Sequence, residues 1–416
     1  MSERKSVVMY RTMKIPIEQD ERLDEIAGVW HKMLNFCLHS TVQKSSYSMS
    51  KIQKEVYQEL RQKFLVYQSQ HVYTALKTAC EMVKGTFSLL EGGYTRMRFP
   101  KVRSDFVILS LNTVTVYNNS ISIAYKPFKR IELKLYPSKE QQRRLMSARF
   151  KGFKLVKRGD KWWFYISEIK EVQLPRWEWC ETFIGVDVGM NYLVVATAVG
   201  RNGELHKPLF VSGKQWRHLQ FKRRAKMAKL QSKAMKGSSS FKSKSMEKKA
   251  SYFWNRTNEI LHIASKRVVK YAKQFPKPII VLEELGNMKN NSQSRKWNYL
   301  LGMWARRRLQ NYIKYKAEWE GIPVVEVYPQ HTSQICYRCG KRGVRNGKDF
   351  YCPYCDKHVN ADFNASINVA NRFRHQLVKV GIDRGHAPFV KSGASKLDTV
   401  SELSDESVNG MEMRLS

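Results

Sequence analysis

The spacing of apolar residues changes several times along the chain, and each change marks an element boundary. VVMYRTMKI (7–15) alternates with the period of two that a strand requires. From Asp20 to about Leu90 the step lengthens to three and four, through Leu23, Ile26, Ala27, Trp30, Met33, Leu34 and Cys37, which predicts helices. Gly92-Gly93 ends that pattern. Between Met97 and about Val172, VILSLNTVTVY, SISIAY, RIELKLY, FKLVKRG and KWWFYISEI read as strands, with turns at Asn118-Asn119 and Gly159-Asp160. After Glu181, FIGVDV (183–188) and YLVVATAV (192–199) are expected to be two buried strands joined at Gly189-Met190-Asn191, and a third strand follows near LHKPLFVS. A helical segment over about 214–274 comes next, broken at Gly237–Phe241. Then come a strand at PIIVLEEL, a helix over 298–320, a strand at IPVVEVY and a last helix from about Phe363 to Phe373.

A strand, a helical insertion and a run of strands predict a β-barrel-like domain over 1–19 and 93–180, with a helical domain over 20–92 inserted in it. The second half reads as a three-strand meander, helix, strand, helix, strand, helix. That is the layout of an RNase H-like α/β domain, expected over 181–330 and 358–380, with a cysteine module at 331–357 inserted before the last helix. The Gly-, Ser-, Asp- and Glu-containing tail over 381–416 is expected to be disordered.

Charge narrows the class of partner. Across 416 residues, 74 Lys and Arg face 36 Asp and Glu, for a formal net charge of +38. A compact protein with that excess repels itself unless a polyanion neutralises it, and nucleic acid does so with release of counterions. The 42% apolar fraction indicates a globular fold rather than a basic tail. No segment is long and apolar enough for a membrane span, and the N-terminus lacks the apolar stretch of a secretion signal. Residues 214–250 concentrate thirteen Lys or Arg against one acid, Glu247, with Trp216, Phe221 and Phe241 interleaved. A solvated helix face would mix in acids. Lys222, Arg223, Arg224 and Lys226 are therefore candidates for contact with a nucleic-acid backbone, as are Arg306 and Arg307 in a second basic and aromatic cluster.

Seven cysteines include two Cys-x-x-Cys pairs, Cys336/Cys339 and Cys352/Cys355, separated by twelve residues. Each pair forms a knuckle, and four thiolates suit one tetrahedral, structural zinc ion with no open position for chemistry. Cys37, Cys80 and Cys180 lie in apolar neighbourhoods and read as ordinary thiols. Asp187 and Glu283 each end an apolar strand, where an acid is costly unless exposed, paired or bound to a cation. By itself Asp187 reads more readily as a turn cap than as a catalytic acid. Asp362, at the start of the last helix, could equally be an N-cap. Two adjacent strand ends and a helix start can nonetheless converge three carboxylates on a pair of Mg²⁺ ions about 3.5–4 Å apart. Glu284 is the neighbouring alternative to Glu283, and strand alternation lets one of the two face such a site.

GVDVG around Asp187, VLEEL around Glu283, KAEWEGIPVVEVYPQHTSQICYRCG (316–340) and YCPYCDKHVNADFNASINVANR (351–372) resemble the TnpB family of transposon-encoded RNA-guided nucleases, and the smallest type V CRISPR effectors related to it. Weaker similarity includes Arg98-Phe99-Pro100-Lys101, the Lys161-Trp162-Trp163 strand, and Asn258 with His262. Asn-Ala-Asp at 360–362 departs from the Asp-Arg-Asp of many TnpB proteins toward the CRISPR form. The resemblance implies a wedge-like barrel holding a helical recognition domain, then a RuvC nuclease domain with its zinc ribbon. It also implies a structured guide RNA and a double-stranded DNA target chosen by base pairing, beside a short motif read by protein. That motif would be read near Tyr67 to Lys77, with Gln70 and Lys77 as candidates. A prokaryotic, nucleoid-associated cytoplasmic enzyme follows, with one or two copies per RNA left open. Two other readings remain: a nuclease-inactive RNA-guided repressor, and a guide-free structure-selective nuclease.

Overall fold

The computed structural model describes residues 5–43, 47–93, 99–100, 102, 105–236, 244–285 and 294–382. The described residues divide into two compact units, 8–171 and 172–382 together with 5–7. The break at Gly237–Phe241 and the tail beyond 382 lie outside the described residues, as do Arg98 and Lys101.

In the first unit, β1 (Lys5–Pro16) leads into α1 (Arg22–Gln43), α2 (Met49–Lys63) and α3 (Ser69–Glu91). The apolar steps in the sequence put Leu23, Ile26, Trp30, Met33, Leu34 and Cys37 on one face of α1. All are buried in one cluster with Val72, Ala75, Leu76, Ala79 and Val83 of α3. Trp30 Nε1–H finds its partner inside that cluster, Thr74 Oγ1 at 3.1 Å. Helix α3 ends at Gly92-Gly93, where Gly93 takes a φ of +71°, open to glycine at no steric cost.

The strands that follow are β2 (Phe106–Leu109), β3 (Val114–Val116), β4 (Ser120–Lys126) and β5 (Lys129–Lys134), then β6 (Arg149–Arg158) and β7 (Lys161–Leu174). They form two open sheets, in the orders β1-β7-β6-β2 and β3-β4-β5, and no closed barrel is found among the described residues. A 3₁₀ turn at Leu111–Thr113, capped by the Ser110 hydroxyl accepting from Asn112 N–H, separates the short strands β2 and β3, so no continuous ladder runs around a barrel. The sheets meet instead where Ile17 bridges Leu135. One helix escaped the strand reading, α4 (Lys139–Ser147). It starts at a capping box in which Ser138 and Gln141 exchange side chain-to-backbone hydrogen bonds.

The second unit holds β8 (Thr182–Asp187), β9 (Tyr192–Gly200) and β10 (Leu209–Ser212), followed by α5 (Lys214–Lys236) and α6 (Lys244–Ala272). Next are β11 (Pro278–Glu283), α7 (Arg295–Met303), α8 (Arg306–Trp319) and β12 (Val324–Val327). The sheet order is β10-β9-β8-β11-β12. The first three strands are an antiparallel meander, and β11 pairs parallel with both β8 and β12. Alternation sends Ile184 and Val186 into a core with Leu261, Ala264 and Val268 of α6 and Leu309 and Ile313 of α8. Phe183, Val281 and Val325 enter a second core on the opposite face. The single helix expected over 298–320 is two. Ala305 leaves helical geometry at φ −85°, ψ 53°, and Trp304 turns to meet buried Trp216 edge-on at 4.7 Å. After β12 come a small sheet of β13 (Val344–Asn346), β14 (Asp349–Cys352) and β15 (Lys357–Asn360), and finally α9 (Ala361–Ile382). Among the described residues no helix is long and apolar enough to cross a membrane.

His71 joins α3 to the hairpin sheet. Its ring is buried, and Nε2–H donates to Ala124 O at 3.0 Å, a carbonyl that can only accept. Burial lowers its pKa from 6.5 to about 4 even though the Ala124 bond opposes the shift. The unfolded chain therefore takes up a proton between pH 6.5 and 4 that the folded state refuses, so stability from this group falls as pH drops through that window. His71→Gln, which keeps a donor and removes the titration, is expected to flatten the pH dependence of urea unfolding over that range. An unchanged slope would contradict it.

Candidate active site

Strands β8 and β11 run parallel and side by side, so their C-terminal residues, Asp187 and Glu283, arrive at the same edge of the sheet. The third acid comes from α9. Asn360 caps that helix, its Oδ1 accepting from the N–H groups of Asp362 and Phe363 at 3.1 and 3.0 Å. The Asp362 side chain is thereby released from capping and turns elsewhere.

What brings α9 to that edge is a helix–strand contact with no room in it. A Cβ on Gly185 would lie 1.9 Å from Ser366 O and 2.6 Å from Ala370 N, so glycine lets the helix backbone rest on β8 two residues before Asp187. Ser366 Oγ and Thr197 Oγ1, both fully buried, share a hydrogen bond of 2.6 Å across the same interface. Further polar residues of α9 face the chain that follows β12. Asn364 accepts from Tyr337 N–H at 3.0 Å and donates to Ile335 O, and Asn368 donates to the carbonyls of Thr332 and Ile335.

Electrostatics link the three acids. Burial, then the charges of Glu283 and Asp362, push the Asp187 carboxyl up to about 8. Burial also raises Glu283, against a 2.5 Å hydrogen bond from Thr332 Oγ1 and the charges of Arg306, Arg372 and Arg345. Asp362 accepts from Arg345 Nη2 at 2.7 Å. The acid that acts on Asp187 is Glu283 rather than Glu284, whose N–H instead continues the ladder to Val327 O at 2.8 Å. Gln310 of α8 donates to Glu283 O at 2.9 Å and ties the next helix to the strand end.

The cysteine pairs converge. Their four Sγ atoms all lie within 4.8 Å of one another, with Cys336–Cys355 at 3.9 Å and Cys339–Cys352 at 3.6 Å. Zinc–thiolate bonds of ~2.3 Å arranged tetrahedrally give edges of about 3.8 Å, so the set fits one such ion. Gly340, at φ +70°, closes the first knuckle, its N–H donating to Cys336 O at 2.9 Å. Cys37, Cys80 and Cys180 are buried, and burial raises all three thiols, Cys37 and Cys180 to about 12.

The basic candidates are scattered. Arg306 lies close enough to Glu283 and Asp187 for their charges to act on it. Arg307 donates to Leu285 O at 3.2 Å. On α5, Lys222, Arg224 and Lys226 are exposed, with Arg224 over the Tyr299 ring at 5.3 Å, while Arg223 is half-buried against Met303 Sδ. Gln70 and Lys77 lie on α3 of the first unit, Lys77 exposed and 3.9 Å from Glu81. Thr332, Arg345 and Arg372 were not anticipated. Thr332 sits in the motif before Cys336, whereas nothing in spacing sets Arg345 apart from the other bases near it.

Comparison with known proteins places parts of the chain beside known families. Residues 307–369 match the model of the Cas12f1-like TNB domain, and residues 28–124 that of the Uncharacterized protein MJ0013 family. A TnpB-like protein of Aquifex aeolicus is 27% identical over 265 residues, covering 59% of this chain and 84% of its own. The CRISPR-associated endodeoxyribonuclease Cas12f2 of a Micrarchaeota archaeon is 27% identical over 51% of this chain and 40% of its own. Cas12f1 of Sulfoacidibacillus thermotolerans is 36% identical over 29% of this chain and 28% of its own. The chain is a relative of the TnpB-like and Cas12f proteins. It spans most of the Aquifex relative and less than half of those two Cas12f proteins. The α/β fold is that of Cas12f1 as seen in a cryo-EM structure of a Cas12f1–sgRNA–target DNA complex. The TM-score is 0.56 at 14% identity, over 84% of this chain and 81% of that one.

Two outcomes are expected. Gly185→Ala should lower stability by about 1–3 kcal/mol or more through overpacking, read as a lower urea midpoint; wild-type stability would show that α9 can move aside freely. Elemental analysis of the reduced protein should find one tightly held metal ion per chain, and none in the double variant Cys339→Ser/Cys352→Ser.

Proposed function

We propose that this chain is an RNA-guided DNA endonuclease with a RuvC-like site at Asp187, Glu283 and Asp362. The observation that carries the reading is the meeting of two parallel strand ends and one helix start at a single sheet edge. Three hard oxygen donors suit divalent magnesium rather than a soft metal. A buried Asp187 that resists ionisation alone is the kind of carboxylate a dication would restore to its charged form. Asp187, Glu283 and Asp362 would hold two Mg²⁺ ions, which when bound supply an activated water and stabilise the leaving oxygen of a phosphodiester.

The chain's own groups prepare the site. Thr332 fixes one oxygen of Glu283 and so sets which oxygen faces the acids. Asn360 takes over helix capping and frees Asp362. Arg306, Arg345 and Arg372 surround the acids with positive charge suited to a polyanionic strand. The four cysteines would hold zinc, which braces the ribbon from which Arg345 reaches Asp362.

Cas12f relatives are endodeoxyribonucleases, and one shares this fold in complex with sgRNA and target DNA. By likeness, this chain would bind a structured guide RNA and a matching duplex next to a short motif, in a prokaryotic cytoplasm. The first unit's sheets and helices would serve as wedge-like and recognition parts, with Gln70 and Lys77 toward the motif. Lys222, Arg224 and Lys226 would track a nucleic-acid backbone.

The test is cleavage by protein purified with its native RNA, on a guide-matched duplex in Mg²⁺. Asp187→Ala should lower the rate by about three orders of magnitude or more, as expected when several kcal/mol of charge stabilisation are lost. RNA and DNA binding should persist. Full cleavage by the variant would remove Asp187 from the site. Tight binding without strand breaks by the parent would make the protein a guided repressor, and cutting of branched DNA without RNA would make it a structure-selective nuclease.

A further inference from the structure

The turn between β4 and β5 carries a residue the fold does not call for. Lys126 and Lys129 pair across the hairpin, and Pro127-Phe128 is its two-residue loop. Phe128 has a φ of +58°, a left-handed conformation that glycine or asparagine fills in turns with proline at the preceding position. A bulky aromatic adopts it at a steric cost. The side chain returns nothing to the core, since it is 108% exposed. Strain and full exposure in one residue are a mark of function rather than packing.

Its surroundings indicate what it meets. The tip reads Tyr125-Lys126-Pro127-Phe128-Lys129-Arg130, three cations and no acid within six residues. Across from it, Lys126 Nζ is held by Glu25 at 2.9 Å and lies over the Tyr67 ring at 5.6 Å. The hairpin is also pinned to the start of α3. Gln68 N–H donates to Tyr125 O at 3.3 Å, and His71 Nε2–H to Ala124 O at 3.0 Å. Gln70 lies in the chain between those two anchors. The tip thus projects beside the start of α3, where Gln70, the residue proposed above for the duplex motif, lies.

We propose that Phe128 is a stacking platform for an unpaired nucleobase, with Lys129 placed for the adjoining phosphate. The inference rests on the nucleic-acid reading above and names the residue that would meet a base. Any base offers a π-face, so the contact needs no sequence preference. The exposed Leu65 and Val66, just before Tyr67, admit a protein surface as another occupant. The cationic tip favours a polyanion.

The experiment uses the full chain purified with its native RNA and two guide-matched DNA probes of equal length, a blunt duplex and one with a short unpaired end containing 2-aminopurine. Phe128→Ala should weaken binding of the second probe about fivefold or more and leave the first unchanged. Phe128→Trp should restore affinity and quench the 2-aminopurine. Phe128→Gly should lose the same affinity while keeping or raising the thermal midpoint, because glycine relieves the positive φ. A lowered midpoint in that variant would make Phe128 structural and overturn the proposal. If the parent binds and Phe128→Ala binds the unpaired probe equally well, stacking is wrong and the nucleic-acid reading stands. If the parent binds neither probe, both fall. A dimer in sedimentation that Phe128→Ala dissolves, with DNA binding unchanged, would give the surface to a second copy instead.

Discussion

Helix α9 rests on strand β8 at Gly185 without a side chain between them, and the second unit is organised around that contact. Because the helix backbone sits directly on the strand, Asn360 and Asp362 arrive at the edge where β8 and β11 deliver Asp187 and Glu283. The same helix turns Asn364 and Asn368 toward the segment leading into Cys336, and Ser366 toward Thr197 in the sheet. Polar residues buried this deeply are tolerable because their hydrogen bonds are made. The motif Asn-Ala-Asp-x-Asn-Ala-Ser is therefore a set of distinct tasks on one helix: cap, acid, clasp to the ribbon and clasp to the sheet.

Packing of this kind also sets an electrostatic problem at the sheet edge. Loss of solvent around Asp187, and then the charges of Glu283 and Asp362, push its carboxyl up to about 8. Arginines from three places, Arg306 on α8, Arg345 on the ribbon and Arg372 on α9, surround the acids without removing the penalty. Thr332 is positioned by Asn368 through its carbonyl and in turn holds Glu283, so the clasp between ribbon and helix reaches the acids in two steps. Splaying of the four-cysteine cluster would on this account loosen Arg345 and Thr332 as well as the knuckles.

The first unit is built differently. Its core is apolar and helical on one side, with Trp30 and His71 each finding a single buried partner, and its two sheets stay open. The β4–β5 hairpin is held on the start of α3 by backbone and histidine hydrogen bonds, and beyond these anchors Phe128 is fully exposed.

Much of this was legible in the chain. Short continuous apolar runs located β8, β9 and β11, three- and four-residue steps located α1 and α3, and the Cys-x-x-Cys spacing located a cluster whose sulfurs meet. These signals are local, and backbone geometry converts them directly into faces and knuckles. The capping box at Ser138 was also written in the sequence, but basic residues around it masked the helix. Other features had no local signal. The break at Trp304 depends on Trp216, nearly ninety residues earlier. The open sheets depend on a three-residue turn, and Arg345 matters because a ribbon strand happens to pass Asp362. The sequence by itself determined which residues could be strands, knuckles and acids. Tertiary structure alone decided that α9 rests on β8 at Gly185, that Arg345 reaches Asp362, and that Phe128 stands exposed. Each of those outcomes depends on how elements distant in the chain pack together, and no spacing along the chain encodes it.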